Sequence, residues 1–234
     1  MATFVLVHGG CHGGWCYSRV AERLRARKHD VYTPTLSGVG DRVHLATQAI
    51  NLSTHIQDVV SLIQSYDLDD VILCGHSYGG MVITGVAGRL ADRIKTLFYI
   101  DGCVPDDGQS LFDIVGPIRA GAMLDAAGQT GVMMAPPSAE FFKVNAHDSE
   151  WVDRMCTPHP LACFIEKLCH TGSESQVVNR TYVCSARYHS INKPTYERVK
   201  SLPDWKTALI DCGHDVMIDE PEALSMLLHE EASH

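Results

Sequence analysis

The stretch Gly75-His76-Ser77-Tyr78-Gly79 sets a serine between two glycines. It directly follows the apolar run VILC at 71–74 and directly precedes a helix-like segment expected over 78–90. A strand-to-helix turn of this kind holds its serine in a strained backbone conformation that only small neighbours permit, and it raises the hydroxyl above the sheet. The helix that follows favours negative charge developing at its N-terminus. The chemistry such a turn prepares is nucleophilic attack on a carbonyl by Ser77. Two backbone N–H groups must then hold the oxyanion. One is expected from Tyr78, the residue after the nucleophile. The other is expected from the loop His8-Gly9-Gly10, after the first apolar run, with Gly10 the candidate. His8, His12 and Trp15 are expected to brace that loop rather than react.

A general base is also needed to take the serine proton and return it to the leaving group. The chain has thirteen histidines, but only His214 lies late in the chain in a loop between a strand and the last helix-like run. It is preferred over His189, and over His76, whose side chain the turn should direct away. The acid that should orient this base is harder to find. The stretch YVCSARYHSINKP at 182–194 occupies the region where one is sought, and its nearest strongly ionised group is Arg187.

Positioning these residues requires a sheet. Short apolar runs (TFVLV, DVYTPTL, VILC, TLFYI, RTYVCS, KTALIDC) alternate with helix-like stretches such as THIQDVVSLIQSY, where Ile56, Val59, Val60 and Ile63 form one stripe. Ser53 or Thr54 is the expected N-cap of that helix. Fully apolar strands separated by helices predict an α/β fold with a mostly parallel sheet covered on both faces. The rhythm breaks between 104 and 178, a segment rich in Pro, Met and Phe with helical pieces such as SAEFFKV. The expected organisation is a core in two parts, 1–103 and 179–234, with a small helical cap inserted at 104–178.

The bulk numbers exclude several classes. The formal net charge is -9 and the one basic run, RLRARK, reads as a solvated helix face, so nucleic acid is not an expected partner. No apolar run approaches the ~20 residues of a membrane span, and no signal peptide is expected, which points to a cytoplasmic protein. Nine cysteines without CxxC spacing read as reduced, mostly buried residues. HExxH and similar pairs are absent from the sequence, so neither a metal nor a cofactor is expected.

With these motifs on the page, the chain resembles the α/β-hydrolase superfamily. FVLVHGGCHGGW, VILCGHSYGGM, YIDGCVPDDGQS and CGHDVMIDEPEAL are similar to the branch holding plant methylesterases, hydroxynitrile lyases and bacterial carboxylesterases. The resemblance implies an α/β-hydrolase fold and a serine carboxylesterase acting on a small-molecule ester, a methyl or carbamate ester with an apolar or aromatic group. Alternatives are a hydroxynitrile lyase and a non-catalytic ligand-binding relative. The lyases carry Thr and Lys where this chain has Gly9 and Asp215, and Asp215 is expected to repel an anion, which argues for ester hydrolysis. An apolar cap leaves pairing into a homodimer open.

In these relatives the acid usually sits where Arg187 stands here. A cation there cannot stabilise an imidazolium. Asp101, at the carboxyl end of the strand after the serine helix, is the better candidate, because functional groups gather at that end of such sheets. Haloalkane dehalogenases are similar here, with their acid a few residues before a Pro, as Asp101 precedes Pro105. Two other readings stay open at this point: Asp101 as a hydrogen-bonding group at the start of the cap, and a Ser–His dyad aided by water.

Overall fold

The computed structural model describes residues 1–188 and 192–233, so His189 lies outside the described residues. In chain order it contains β1 (Thr3–Val7), α1 (Ser18–Ala26), β2 (Asp30–Tyr32), α2 (Leu52–Ser65), β3 (Val71–His76), α3 (Gly79–Leu90) and β4 (Ile94–Ile100). There follow α4 (Leu111–Val115), α5 (Pro117–Ala126), β5 (Met133–Met134), α6 (Ser149–Met155), β6 (His159–Pro160) and α7 (Ala162–Ile165). The chain then returns to β7 (Asn179–Ser185), α8 (Asn192–Lys200), β8 (Trp205–Ile210), α9 (Val216–Asp219) and α10 (Pro221–Glu231).

Six strands form one parallel sheet in the order β2-β1-β3-β4-β7-β8. Its central strands β3 and β4 are mostly apolar and, apart from Lys95, buried, as parallel strands flanked by helices must be. The crossover from β1 to β2 runs one way across the sheet, and every later crossover runs the other way. Right-handed connections therefore place α1 on one face and α2, α3 and α8 on the opposite face. The packing agrees, since α1 lies against α10 and α2 against α3. The reversal occurs at β1 and β3, and crevices at the carboxyl ends of strands open at such a switch point. The HGG loop leaves the end of β1 and Ser77 leaves the end of β3, so the topology itself brings them together.

Several local expectations shift. β2 ends at Tyr32, three residues into the run DVYTPTL, because Pro34 has no N–H to give to a ladder. The helix α2 begins earlier than its apolar stripe suggests: its N-cap is Asn51, whose Oδ1 accepts the Thr54 N–H at 3.0 Å. Thr54 is the reciprocal partner, its hydroxyl accepting the Asn51 N–H. The segment SAEFFKV forms turns rather than helix, with Lys143 at φ 57°. Burying Ile56, Val59, Val60 and Ile63 contributes roughly 1.5–3 kcal/mol each. Among the described residues no helix is long and apolar enough to cross a membrane.

Because the capping box ties down the first turn of α2, Asn51→Ala should destabilise the protein by about 1 kcal/mol, and Asn51→Gly by only a few tenths. Urea unfolding of the two variants measures the difference.

Candidate active site

The turn after β3 is built from backbone contacts that exclude side chains. Ser77 sits at φ 52°. Its carbonyl accepts the N–H groups of Gly80 at 3.0 Å and Cys103 at 2.9 Å, while its own N–H donates to Ile100. A Cβ at Gly80 would fall 2.1 Å from the Cys103 carbonyl oxygen, and one at Gly75 2.6 Å from that of Gly79. The glycines let the helix start directly under the serine.

His214 is delivered by the loop after β8. Its Nε2 lies 2.9 Å from Ser77 Oγ and its Nδ1 lies 2.6 Å from Asp101 Oδ2. The loop is anchored on both sides of the ring: the His214 N–H donates to the Phe142 carbonyl, and the His214 carbonyl accepts from His76 Nε2. The ring itself stacks on Tyr188 and Phe142, with centroids 4.5 and 5.4 Å away. His76 thus faces away from the serine, as the turn requires.

Asp101 follows β4 and is fully buried, at φ 42°. Its carboxylate accepts the Ser185 hydroxyl at 2.8 Å and the Ser185 N–H at 3.1 Å, in addition to the histidine. Its backbone is held too: its N–H donates to Val183, and its carbonyl accepts from Asn192 Nδ2 at 2.8 Å. Ser77, His214 and Asp101 therefore form one hydrogen-bonded row. Arg187 takes no part. Its guanidinium forks onto the Asp211 carboxylate, both distances 3.0 Å and both groups exposed.

The HGG loop places Gly10 beside Tyr78 at the same cavity wall. Among the described residues neither the Gly10 nor the Tyr78 N–H donates to a protein acceptor. The neighbouring Cys11 N–H is engaged by His159 Nδ1 at 3.1 Å. Buried histidines fix this arrangement. His8 donates from Nδ1 to the Gly9 carbonyl and accepts the Leu36 N–H at Nε2, and burial pushes its pKa down to about 3. His55 bonds the Ser37 carbonyl and the Tyr78 hydroxyl, and burial pushes its pKa down to about 4. Both rings are neutral braces.

His12 is different. Its Nδ1 donates to the Gly10 carbonyl at 2.8 Å and its Nε2 to Asp215 Oδ2 at 3.0 Å, so both nitrogens face acceptors. Burial disfavours both charges, yet the mutual attraction outweighs it: His12 is held well above its ordinary 6.5, and Asp215 is held down at about 2. Asp215 therefore does not present a bare negative charge to substrate. It is buried and paired, contrary to the repulsion expected of it. One trio, His55, His159 and Cys163, has ligand atoms within 4.8 Å of one another among the described residues. It is poorly suited to a metal, because His159 Nδ1 already accepts the Cys11 N–H and burial pushes the Cys163 thiol up.

Ser77 and His214 open onto a cavity of about 450 Å³. Met123, Met134, Phe141, Phe142 and Phe164 line it, with Leu111, Val115 and Pro136. Trp151 does not; it packs edge-on against Trp15. Sequence reasoning missed Ser185, Asn192 and Tyr188, which meet the hydrogen-bonded row only through the fold. Ser185 stood inside the very stretch searched for an acid, and its hydroxyl at the end of a predicted strand was the available signal.

A family model described as "Alpha/beta hydrolase family" matches residues 4–226. The carbendazim hydrolyzing esterase of Nocardioides sp. (strain SG-4G) is 42% identical over 239 residues, spanning 96% of this chain and 97% of its own. Methylesterase 8 of Arabidopsis thaliana is 32% identical over 108 residues, spanning 46% of this chain and 40% of its own. Among solved structures, an extracellular alpha/beta-hydrolase from a Paenibacillus species superposes with a TM-score of 0.86 at 24% identity, covering 98% of both chains. At that identity the likeness speaks for the fold.

The His12–Asp215 pair makes stability depend on pH. Folding raises the His12 pKa, so its contribution is complete below about 6.5 and is lost as pH rises through the elevated folded value. The Asp215 contribution is present above 3.8 and is lost as pH falls through about 2. Asp215→Asn should cost about 3 kcal/mol at neutral pH, by removing the partner that holds buried His12 in its charged form. It should also abolish the His12 part of the alkaline loss, which urea unfolding across a pH series from about 6 upward will read.

Proposed function

The chain belongs to the alpha/beta hydrolase family and is an ester hydrolase, and from that premise we propose that it is a serine carboxylesterase working through an acyl-enzyme on Ser77. The observation that carries this reading is the continuous row from buried Asp101 through His214 to Ser77, ending at the wall of an apolar cavity.

In the proposed cycle Ser77 Oγ attacks the ester carbonyl carbon while His214 Nε2 accepts the hydroxyl proton. The oxyanion that forms accepts hydrogen bonds from the N–H groups of Gly10 and Tyr78, each donor contributing about 2.7–4 kcal/mol to the transition state. The imidazolium then gives its proton to the departing alkoxide, which leaves as the alcohol. Water attacks the acyl-Ser77 carbonyl with His214 again as base. Collapse of the second tetrahedral intermediate frees the acid and returns the proton to Ser77 Oγ. Asp101 accepts the Nδ1–H throughout, fixing the tautomer that aims a lone pair at the serine and stabilising the imidazolium.

The substrate reading is a small ester, methyl or carbamate, with an apolar or aromatic group. The Met and Phe walls and a volume within the usual range of small-molecule sites support it. A 42% identical relative named for carbendazim hydrolysis lends support to the carbamate branch. Cyanohydrin cleavage finds no support: the residue after the histidine supplies no ammonium, and its carboxylate is already paired with His12.

Ser77→Ala should abolish turnover of p-nitrophenyl esters and labelling by a fluorophosphonate; measurable hydrolysis by that variant would sink the assignment. Asp101→Asn should lower kcat by roughly 10⁴, through the wrong histidine tautomer, and a loss below tenfold would place the acid elsewhere. Ser185→Ala, which removes one donor from the carboxylate but leaves the row intact, should lower kcat far less than Asp101→Asn in the same assay.

A further inference from the structure

The helix α5 shows the cavity one face, made by Arg119, Ala122, Met123 and Ala126. Their spacing of three, four and seven residues is that of a single helical stripe. Three of these residues match the apolar walls opposite; Arg119 does not. Among the described residues no carboxylate lies within 4.0 Å of its guanidinium, and no protein acceptor bonds it. Other half-buried arginines of the chain are engaged: Arg19 by Asp148, Arg23 and Arg27 by Glu222, Arg93 by Asp67, and Arg180 by backbone carbonyls.

Helix stability does not account for the residue either. Arg119 lies in the first turn of α5, where the positive end of the helix dipole disfavours a cation. A guanidinium set there against the dipole, on the cavity stripe and without a protein partner among the described residues, is available to a bound molecule.

We infer that Arg119 recognises an anionic group, a carboxylate in the first instance, carried by the ester away from the bond that is cleaved. The inference rests on the reading of Ser77 as an ester-cleaving nucleophile and narrows its substrates to half-esters of dicarboxylic acids and esters of like charge. A guanidinium matches a carboxylate with two parallel hydrogen bonds. Apolar walls weaken the screening that water provides and strengthen the pair. The chain as a whole carries -9, so anions are repelled at a distance and the selection must be made at contact.

The test uses matched methyl esters that differ only in charge: monomethyl terephthalate against methyl 4-carbamoylbenzoate, and monomethyl adipate against its carboxamide. The wild-type enzyme should prefer the anionic member of a pair in kcat/KM. Arg119→Gln should reduce that preference about tenfold or more, mainly through KM, and Arg119→Lys should retain part of it. A preference absent from the wild type, or unchanged in Arg119→Gln, overturns the inference. Should Arg119→Gln fail to fold, benzoate and benzamide decide on the wild type: benzoate should be much the stronger competitive inhibitor, and equal inhibition overturns the inference. Fluorophosphonate labelling of Ser77 and p-nitrophenyl acetate hydrolysis are run alongside. Their failure would remove the esterase reading itself, whereas their success with no charge preference removes only the role of Arg119.

Discussion

The 2.6 Å hydrogen bond between Asp101 and His214 is the contact on which the site depends. It joins the end of β4 to the loop after β8, two positions separated by 113 residues, among them the whole segment between β4 and β7. For it to form, β7 must lie between those strands in the sheet and offer Ser185 to the carboxylate. Asp101 must also accept a left-handed backbone, stabilised by Val183 and Asn192 on either side of the residue. Such strain persists only where the surroundings over-determine it. Here they do, with two backbone partners and three partners on the carboxylate.

The buried polar groups of the HGG loop follow the same logic. His8 and His55 are neutral and each satisfies two partners, so they orient the backbone without bringing charge into the core. His12 brings charge but has Asp215 against it. The Gly10 carbonyl is tied to His12 and the Cys11 N–H to His159, which leaves the Gly10 N–H as the donor of that loop facing the cavity wall without a protein partner among the described residues. A preorganised donor needs no rearrangement when charge develops in front of it.

Much of this was legible in the chain. The serine turn reads locally, because its glycines, its preceding strand and its following helix are adjacent in sequence. His214 reads from its position between a strand and the last helix. Asp101 read only by elimination and analogy, because the meeting of β4 with β7 is a long-range pairing that no local pattern encodes. The same reason hid Ser185, Asn192 and Tyr188. Asp215 was legible as a carboxylate but was expected to repel an anion, since its partner His12 is 203 residues away and local pattern does not show the pair. The segment 104–178 was the least legible: its proline-rich turns have no period, so SAEFFKV looked helical; and the start of α2 moved to Asn51 because the apolar stripe begins after the N-cap.

The turn at 138–144 bears on how His214 is held. Its Phe142 carbonyl anchors the His214 backbone, its Phe142 ring lies on the imidazole, and Gly213 packs so closely that a Cβ there would meet the Lys143 carbonyl oxygen at 2.2 Å. Displacing this turn would take from His214 a backbone anchor and a stacking partner together. The α5 wall of the same cavity makes no hydrogen bond to Ser77, His214 or Asp101 among the described residues. One side of the cavity is therefore tied to the His214 loop by a backbone hydrogen bond, a ring stack and a close backbone contact, while the α5 side is joined to Ser77, His214 and Asp101 by no hydrogen bond among the described residues.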